Sequence, residues 1–160
     1  MLEEHALDAQ LHDRQGFQCG ELALDEYLRK YAVQQSAKGL SAVFVVVDSA
    51  QPRKILGFYT LSATHIGAEQ LSAADRKKLP RYPIPCFRMG RLARSVDGRG
   101  AGLGAMLIGL AVDRCRNART QVGAYALLVD AKSEKAKAFY QHYSFTAFTD
   151  SPMALYLPLG

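Results

Sequence analysis

The chain has 160 residues, of which 49% are hydrophobic and 22% charged, enough to bury a globular core and too ordered in composition for a disordered chain. Its formal net charge of +5 leans toward a polyanionic partner without requiring one. Cys19, Cys86 and Cys115 are odd in number and lack Cys-x-x-Cys spacing, so they read as reduced thiols of a cytoplasmic protein and argue against a zinc site. The expectation is one domain over residues 1–160, with no leader segment, no membrane span and no metal.

Residues 1–15 are polar and predict at most a short strand at 6–11, followed by a turn at 17–20. Leu22, Leu24, Leu28, Tyr31, Ala32 and Gln35 recur at helical spacing, and Gly39 ends that helix. The β-branched run Ala42–Asp48 predicts a buried strand, Gln51 and Pro52 a hairpin turn, and 55–66 a second, longer strand. A short helix is expected over 69–79, stopped by Pro80, and then a proline-stiffened crossing over 81–85. Residues 86–96 predict a central strand and 102–119 its helix. The apolar run 125–131 predicts a strand buried on both faces. Ser133 caps a helix reaching about residue 143, with Glu134 in its first turn, and strands at 145–148 and 153–159 close the sheet. Antiparallel strands come first and a β-α-β-α-β half follows, which gives an α/β (α+β) fold with parallel central strands.

The most informative stretch joins the central strand to its helix. Arg99, Gly100, Gly102 and Gly104 stand where the helix begins, in the pattern Arg-x-x-Gly-x-Gly. A helix N-terminus carries unpaired N–H groups and partial positive charge, and glycines let a phosphate approach the backbone. Leu103, Leu107, Leu110 and Ala111 continue at helical spacing, so a pyrophosphate ligand with an organic tail along the strand fits the pattern. The same glycines also fit a turn without a ligand. No Gly-Lys-Ser/Thr follows, which excludes a nucleotide P-loop. The loop lies past the middle of the chain, without an acid at the expected strand end, which disfavours a dinucleotide fold.

The strand residues 90–95, the loop Arg99-Gly100-Ala101-Gly102-Leu103-Gly104 and the segment Ala138-Phe139-Tyr140-Gln141-His142-Tyr143-Ser144-Phe145 together resemble the GCN5-related N-acetyltransferase (GNAT) superfamily. The resemblance spans essentially the whole chain. It implies a single mixed central sheet, splayed between its two central parallel strands and flanked by helices. It also implies acetyl-CoA as co-substrate, with its pyrophosphate on the loop and its pantetheine beside the preceding strand. Phe17-x-Cys19-Gly20-x-x-x-Leu24-Asp25-x-Tyr27-Leu28, then Ala32-x-Gln34, then Tyr82-Pro83-x-Pro85 leading into Gly90-Arg91-Leu92-Ala93, is similar to the GNAT toxins of type II toxin–antitoxin systems. That finer likeness implies acetylation of the α-amine of aminoacyl-tRNA, arrest of translation, a ribbon-helix-helix antitoxin as partner and a homodimer. Three positions depart from it. Arg94 and Ser95 stand where valine and an acid are usual, and Ser144 stands where glycine is usual. If position 144 needs φ > 0, serine costs roughly 1 kcal/mol there.

Acetyl transfer needs a polarised thioester carbonyl, a proton for the leaving thiolate and a neutral amine. Backbone N–H groups near Leu92 and Ala93 suit the carbonyl. The resemblance implies Tyr140 as general acid, whereas without it a core aromatic beside Phe139 is the simpler reading; Tyr143 ranks second. The acetyl-CoA set implied is Leu92, Ala93, Arg94, Ser95, Arg99, Gly100, Ala101, Gly102, Leu103, Gly104 and Ala105, with Ser133 near the expected path of the tail.

Residues 87–96 hold no acid to serve as a base. Deprotonating a lysine of pKa about 10.4 at pH 7 costs roughly 4.6 kcal/mol, against about 1 kcal/mol for an α-amine, so an α-amine suits the site better. Glu69, Asp97 or a water chain remain open as bases. Among the basic residues, Arg91, Lys77, Lys78 and Arg81 are expected on tRNA phosphates, with a solvated basic face as the alternative. Arg76, Arg88 and Arg94 belong to the same basic cluster, and Lys30 and Lys38 are weaker candidates. His5, His12, His65 and His142 show no metal-ligand spacing. Two rival functions stay open: a GNAT acting on a small amine or a protein N-terminus, and a non-catalytic CoA- or RNA-binding module.

Overall fold

The chain hydrogen-bonds its strands in the order β1-β2-β3-β4-β5-β7-β6, a mixed sheet, in a computed structural model that describes residues 1–98 and 102–160. The strands are β1 Leu2–Ala6, β2 Ala42–Asp48, β3 Gly57–Ile66, β4 Ile84–Arg94, β5 Ala126–Asp130, β6 Thr146–Ala147 and β7 Ala154–Pro158. The helices are α1 Leu22–Glu26 and α2 Ala32–Ala37, with a π-helical turn Tyr27–Tyr31 between them, then α3 Ala73–Arg76, α4 Leu103–Ala118 and α5 Glu134–His142. Two compact units emerge: residues 1–62 with 90–111, and residues 63–89 with 112–160.

In the first unit, β1 pairs antiparallel with β2 and β2 with β3. The core gathers Phe17, Leu24, Tyr27, Leu28 and Ala32 with Val43, Val45, Val47, Phe58 and Ala93. This explains much of the early motif: Phe17, Leu24 and Leu28 are core residues, and the buried Asp25 carboxylate accepts the N–H of Cys19 at 3.0 Å, fixing the preceding turn. The helix ends as expected. Gly39 takes φ +74°, and the N–H groups of Leu40 and Gly39 return to the carbonyls of Gln35 and Ser36, a double C-terminal closure that needs the left-handed residue. The first strand falls at Leu2–Ala6 and not at 6–11. Asp8 stops it, because its carboxylate accepts from Gln10 N–H and its carbonyl from the N–H groups of Leu11 and His12.

In the second unit, β5 pairs parallel with β4 at Phe87↔Leu127 and Arg88↔Leu128, and antiparallel with β7 along its whole length. Four of its five residues are buried, as the apolar run predicts. The helix expected over 69–79 is instead a 3-10 turn, Ala68–Gln70, followed by the single turn of α3. Ser72 causes the break: its hydroxyl accepts from Asp75 N–H, so the helix restarts behind it, and Tyr156 Oη donates to Asp75 at 2.6 Å. Ser144 follows α5 with φ +74°, so serine does occupy a left-handed position.

Candidate active site

In the first unit, the segment Gly90 to Arg94 ends β4 and leads through Ser95 into a 3-10 turn, Val96–Gly98, before α4. Ser95 is buried and anchors this exit. Its N–H donates to Leu56 carbonyl at 2.7 Å, its carbonyl accepts from Gly98, and its hydroxyl accepts from Asp97 N–H. Ser95 therefore acts on the shape of the loop's first half. Ala93 is buried in the core, Leu92 is half-buried and Arg94 exposed, so beside the buried position the strand keeps an open apolar-and-basic face.

Gly102 then takes φ +71°, with nothing within 4 Å of where a Cβ would stand, and its carbonyl accepts from Met106 to open α4. Its conformation, and not a lack of space, is what calls for glycine. Leu103 is 1% exposed and pins the helix start to the core, while Gly104 and Ala105 complete a first turn free of acids. The N–H groups of such a turn have no acceptor inside the helix, and the macrodipole adds positive potential. Backbone donors, an open left-handed glycine and no acid together fit a pyrophosphate. Arg99, Gly100 and Ala101 lie outside the described residues.

In the second unit, Tyr140 lies on α5, packed between Phe139 and Phe145 at ring-centroid distances of 5.6 and 5.5 Å. It is 9% exposed, and among the described residues its hydroxyl has no hydrogen-bond partner. Burial first, and the Asp130 carboxylate second, push its phenol up to about 12, so it is protonated throughout the physiological range. Tyr143 is half-buried and packs on Phe139 and His142. Ser133 caps α5, its hydroxyl accepting from Ala136 N–H at 3.1 Å.

Asp130 is not among the acids, Glu69 and Asp97, that the sequence offers as bases. It ends β5, is paired with Arg88, and raises the Tyr140 phenol. An acid at the C-terminal end of the neighbouring central strand was the available signal.

The basic residues divide into separate groups. Arg76, Lys77 and Arg81 line one open cleft of about 460 Å³ together with Glu69, and Lys78 is exposed outside its lining. Arg88 is taken up by Asp130, Arg94 is exposed, and Arg91 lies in the first unit with its Cζ 3.6 Å from the centre of the Tyr27 ring. Cys86 and Cys115 are buried thiols pushed up to about 11 and about 12, which removes them as nucleophiles. Among the described residues no cluster of three His, Cys, Asp or Glu side chains could hold a metal, and no helix is long and apolar enough to cross a membrane.

No family model matches the chain. A tRNA-acetylating toxin of Mycobacterium tuberculosis is 34% identical over 145 residues, spanning 91% of this chain and 85% of that protein. The solved structure of AtaT complexed with acetyl-methionyl-tRNAfMet superposes with a TM-score of 0.92 at 31% identity, covering 99% of this chain and 95% of that one. A Tyr-to-Phe mutant of AtaT, bound to acetyl-CoA and the C-terminus of the antitoxin AtaR, superposes with a TM-score of 0.83 at 29% identity, covering 99% and 93%. The mixed sheet, its parallel β4–β5 pair and the glycine turn opening α4 define an acetyl-CoA-dependent N-acetyltransferase of the GNAT fold. Within that class, the chain belongs to the family of tRNA-acetylating toxins.

Proposed function

We propose that this chain acetylates the α-amine of an aminoacyl-tRNA at the expense of acetyl-CoA and thereby stops translation. In this reading residues 1–160 act as a single domain, working in the cytoplasm as a homodimer and neutralised by a ribbon-helix-helix antitoxin. AtaT, solved with acetyl-methionyl-tRNAfMet and with AtaR, supports both the substrate and the existence of a protein antagonist.

The observation that carries the chemistry is Tyr140: a buried phenol, held protonated, with no partner among the described residues. Backbone N–H groups at the start of α4, with Arg99, Gly100 and Ala101, would hold the pyrophosphate, and the open side of Leu92 and Arg94 would take the pantetheine. Ser133, which caps α5, is a further candidate contact for the tail. N–H groups near Leu92 and Ala93 polarise the thioester carbonyl. The amine attacks it in neutral form, the C–S bond breaks to release the thiolate, and the proton that leaves the nitrogen as the amide forms passes to solvent and balances the one the thiolate takes up.

Tyr140 enters as a hydrogen-bond donor to the departing sulfur. Burial keeps the phenol protonated, so it is able to donate to the sulfur as negative charge develops there. On the RNA side, Lys77 and Arg81 in the cleft, with Lys78 beside it, serve as phosphate contacts, and Arg91 as a separate one.

A cell-free translation reaction tests this reading. Arrest by the purified chain only when acetyl-CoA is present is the expected result. Continued translation, with acetyl groups found instead on peptides or small amines, would overturn it.

A further inference from the structure

Three arginines sit on β4 in three different states. Arg88 is neutralised by Asp130 and Arg94 is exposed to solvent. Arg91 is half-buried, yet among the described residues it has neither an ion pair nor a hydrogen bond. Its Cζ lies over the face of Tyr27, 3.6 Å from the ring centre. Tyr27 is itself fixed: it is 4% exposed, opens the π-helical turn, and stacks nearly parallel to Phe58, at 12° with centroids 6.4 Å apart. The Tyr27 hydroxyl is buried without a partner among the described residues, so burial of this residue is not explained by its polar end.

A guanidinium stacked by its face keeps all its N–H donors, which lie in the plane and point outward at the edge. Partly desolvating an unpaired cation is costly, and the cost is recovered when an oxyanion meets that edge. The chain carries a net charge of +5, which favours a polyanion over an isolated carboxylate as that partner.

We propose that Tyr27 is a positioning residue, fixing the plane of Arg91 so that the guanidinium edge grips one phosphate of the RNA substrate. This rests on the reading of the substrate given above, and it adds that the arginine's orientation, not only its charge, sets RNA affinity. Tyr27 thereby gains a role in substrate binding although the RNA need not touch it.

The test is a kinetic double-mutant cycle on the full chain, with charged tRNA and acetyl-CoA varied separately and thermal melts recorded for every variant. Tyr27→Leu is expected to raise the KM for charged tRNA about 5-fold, with kcat and the KM for acetyl-CoA within about twofold of the parent. Tyr27→Phe, which keeps the ring, is expected to recover most of that loss. In an Arg91→Ala background, Tyr27→Leu should have no further effect on KM. An equal Tyr27→Leu effect in both backgrounds, or an effect confined to kcat, would overturn the proposal. Should Tyr27→Leu fail to fold, Arg91→Lys decides. It keeps the charge and loses the fork, so KM should rise about 10-fold, and a KM equal to the parent's would overturn the proposal.

Binding of deacylated tRNA by the same variants separates the two readings. A chain that binds RNA through Arg91 but acetylates no charged tRNA would sink the proposed function alone. A chain that acetylates charged tRNA with unchanged RNA affinity after Arg91→Ala would sink this inference alone. In the latter case, loss of binding to an acidic peptide would assign Arg91 to a protein partner.

Discussion

The two compact units of the chain build their chemistry from different materials. In the unit of residues 1–62 and 90–111, the candidate pyrophosphate site is made of backbone, a left-handed glycine, a helix start and a turn held by the buried Ser95, with the Arg91 side chain as a separate candidate contact. In the unit of residues 63–89 and 112–160, the candidate groups are side chains: a phenol whose proton is held by burial, and a cleft lined by Arg76, Lys77 and Arg81. A backbone site depends on conformation, so it tolerates many side chains and few changes of φ. A side-chain site depends on identity and burial, so a single atom can remove it. Substitutions in the two units should therefore fail in different ways.

The largest expected effect lies in the side-chain unit. Tyr140→Phe removes one oxygen and leaves the ring between Phe139 and Phe145. It should lower kcat by about 10²- to 10⁴-fold, with the KM for acetyl-CoA and the melting temperature little changed. Next, replacing Lys77 and Arg81 together with alanine should raise the KM for charged tRNA about 10-fold. It should also flatten the dependence of log KM on log salt by about one to two units of slope, roughly one for each phosphate no longer neutralised.

In the backbone unit, Gly102→Ala forces a Cβ into φ +71°. It should cost about 1 kcal/mol in a denaturant titration and raise the KM for acetyl-CoA about 5-fold, leaving the KM for tRNA alone. A Gly102→Ala enzyme with an unchanged KM for acetyl-CoA would break the distinction between the two units.

Two smaller effects sharpen it. His12 is buried, its Nδ1 accepts from Asp8 N–H, and burial followed by the nearby His5 lowers its pKa below the ordinary value. The folded state thus binds the proton less readily than the unfolded one. The His12 contribution to stability is fully present above about pH 6.5 and is lost as pH falls through the lowered folded value. Melting temperatures recorded from pH 8 to pH 5 should fall on the acid side in the parent and fall less in His12→Gln. Smallest, Ser144→Gly relieves a serine at φ +74° and should stabilise the chain by about 0.5–1 kcal/mol in a denaturant titration, with activity unchanged.

The sequence made the regular parts legible for plain reasons. Ala42–Asp48 is a β-branched run and became β2 with those bounds, and the apolar stretch near 126–130 became the buried β5. Gly39, with no Cβ to oppose a φ of +74°, and Ser133, through its hydroxyl, capped their helices as expected. The misses lie where polar side chains override periodicity. Asp8 cuts off the first strand, and Ser72 splits the expected helix before α3. The π-helical turn Tyr27–Tyr31 left no mark in the apolar spacing.

The candidate site divided the same way. Glycines at a helix start suggest an anion site by their spacing but fit a ligand-free turn as well. Tyr140 reads locally as a core aromatic, and its role came from family likeness. Arg91 stacked on Tyr27 joins residues far apart in the chain, which no local pattern reports.

The measurement to make first follows the acetyl group itself. Labelled acetyl-CoA is incubated with total charged tRNA and either the parent chain or Tyr140→Phe, and the RNA is then digested by nuclease to its terminal nucleosides. Label on the aminoacyl group of the terminal adenosine, strongly reduced with Tyr140→Phe, is the predicted result. Label found only on peptides or free amines, or transferred to charged tRNA at equal rates by both proteins, would contradict it.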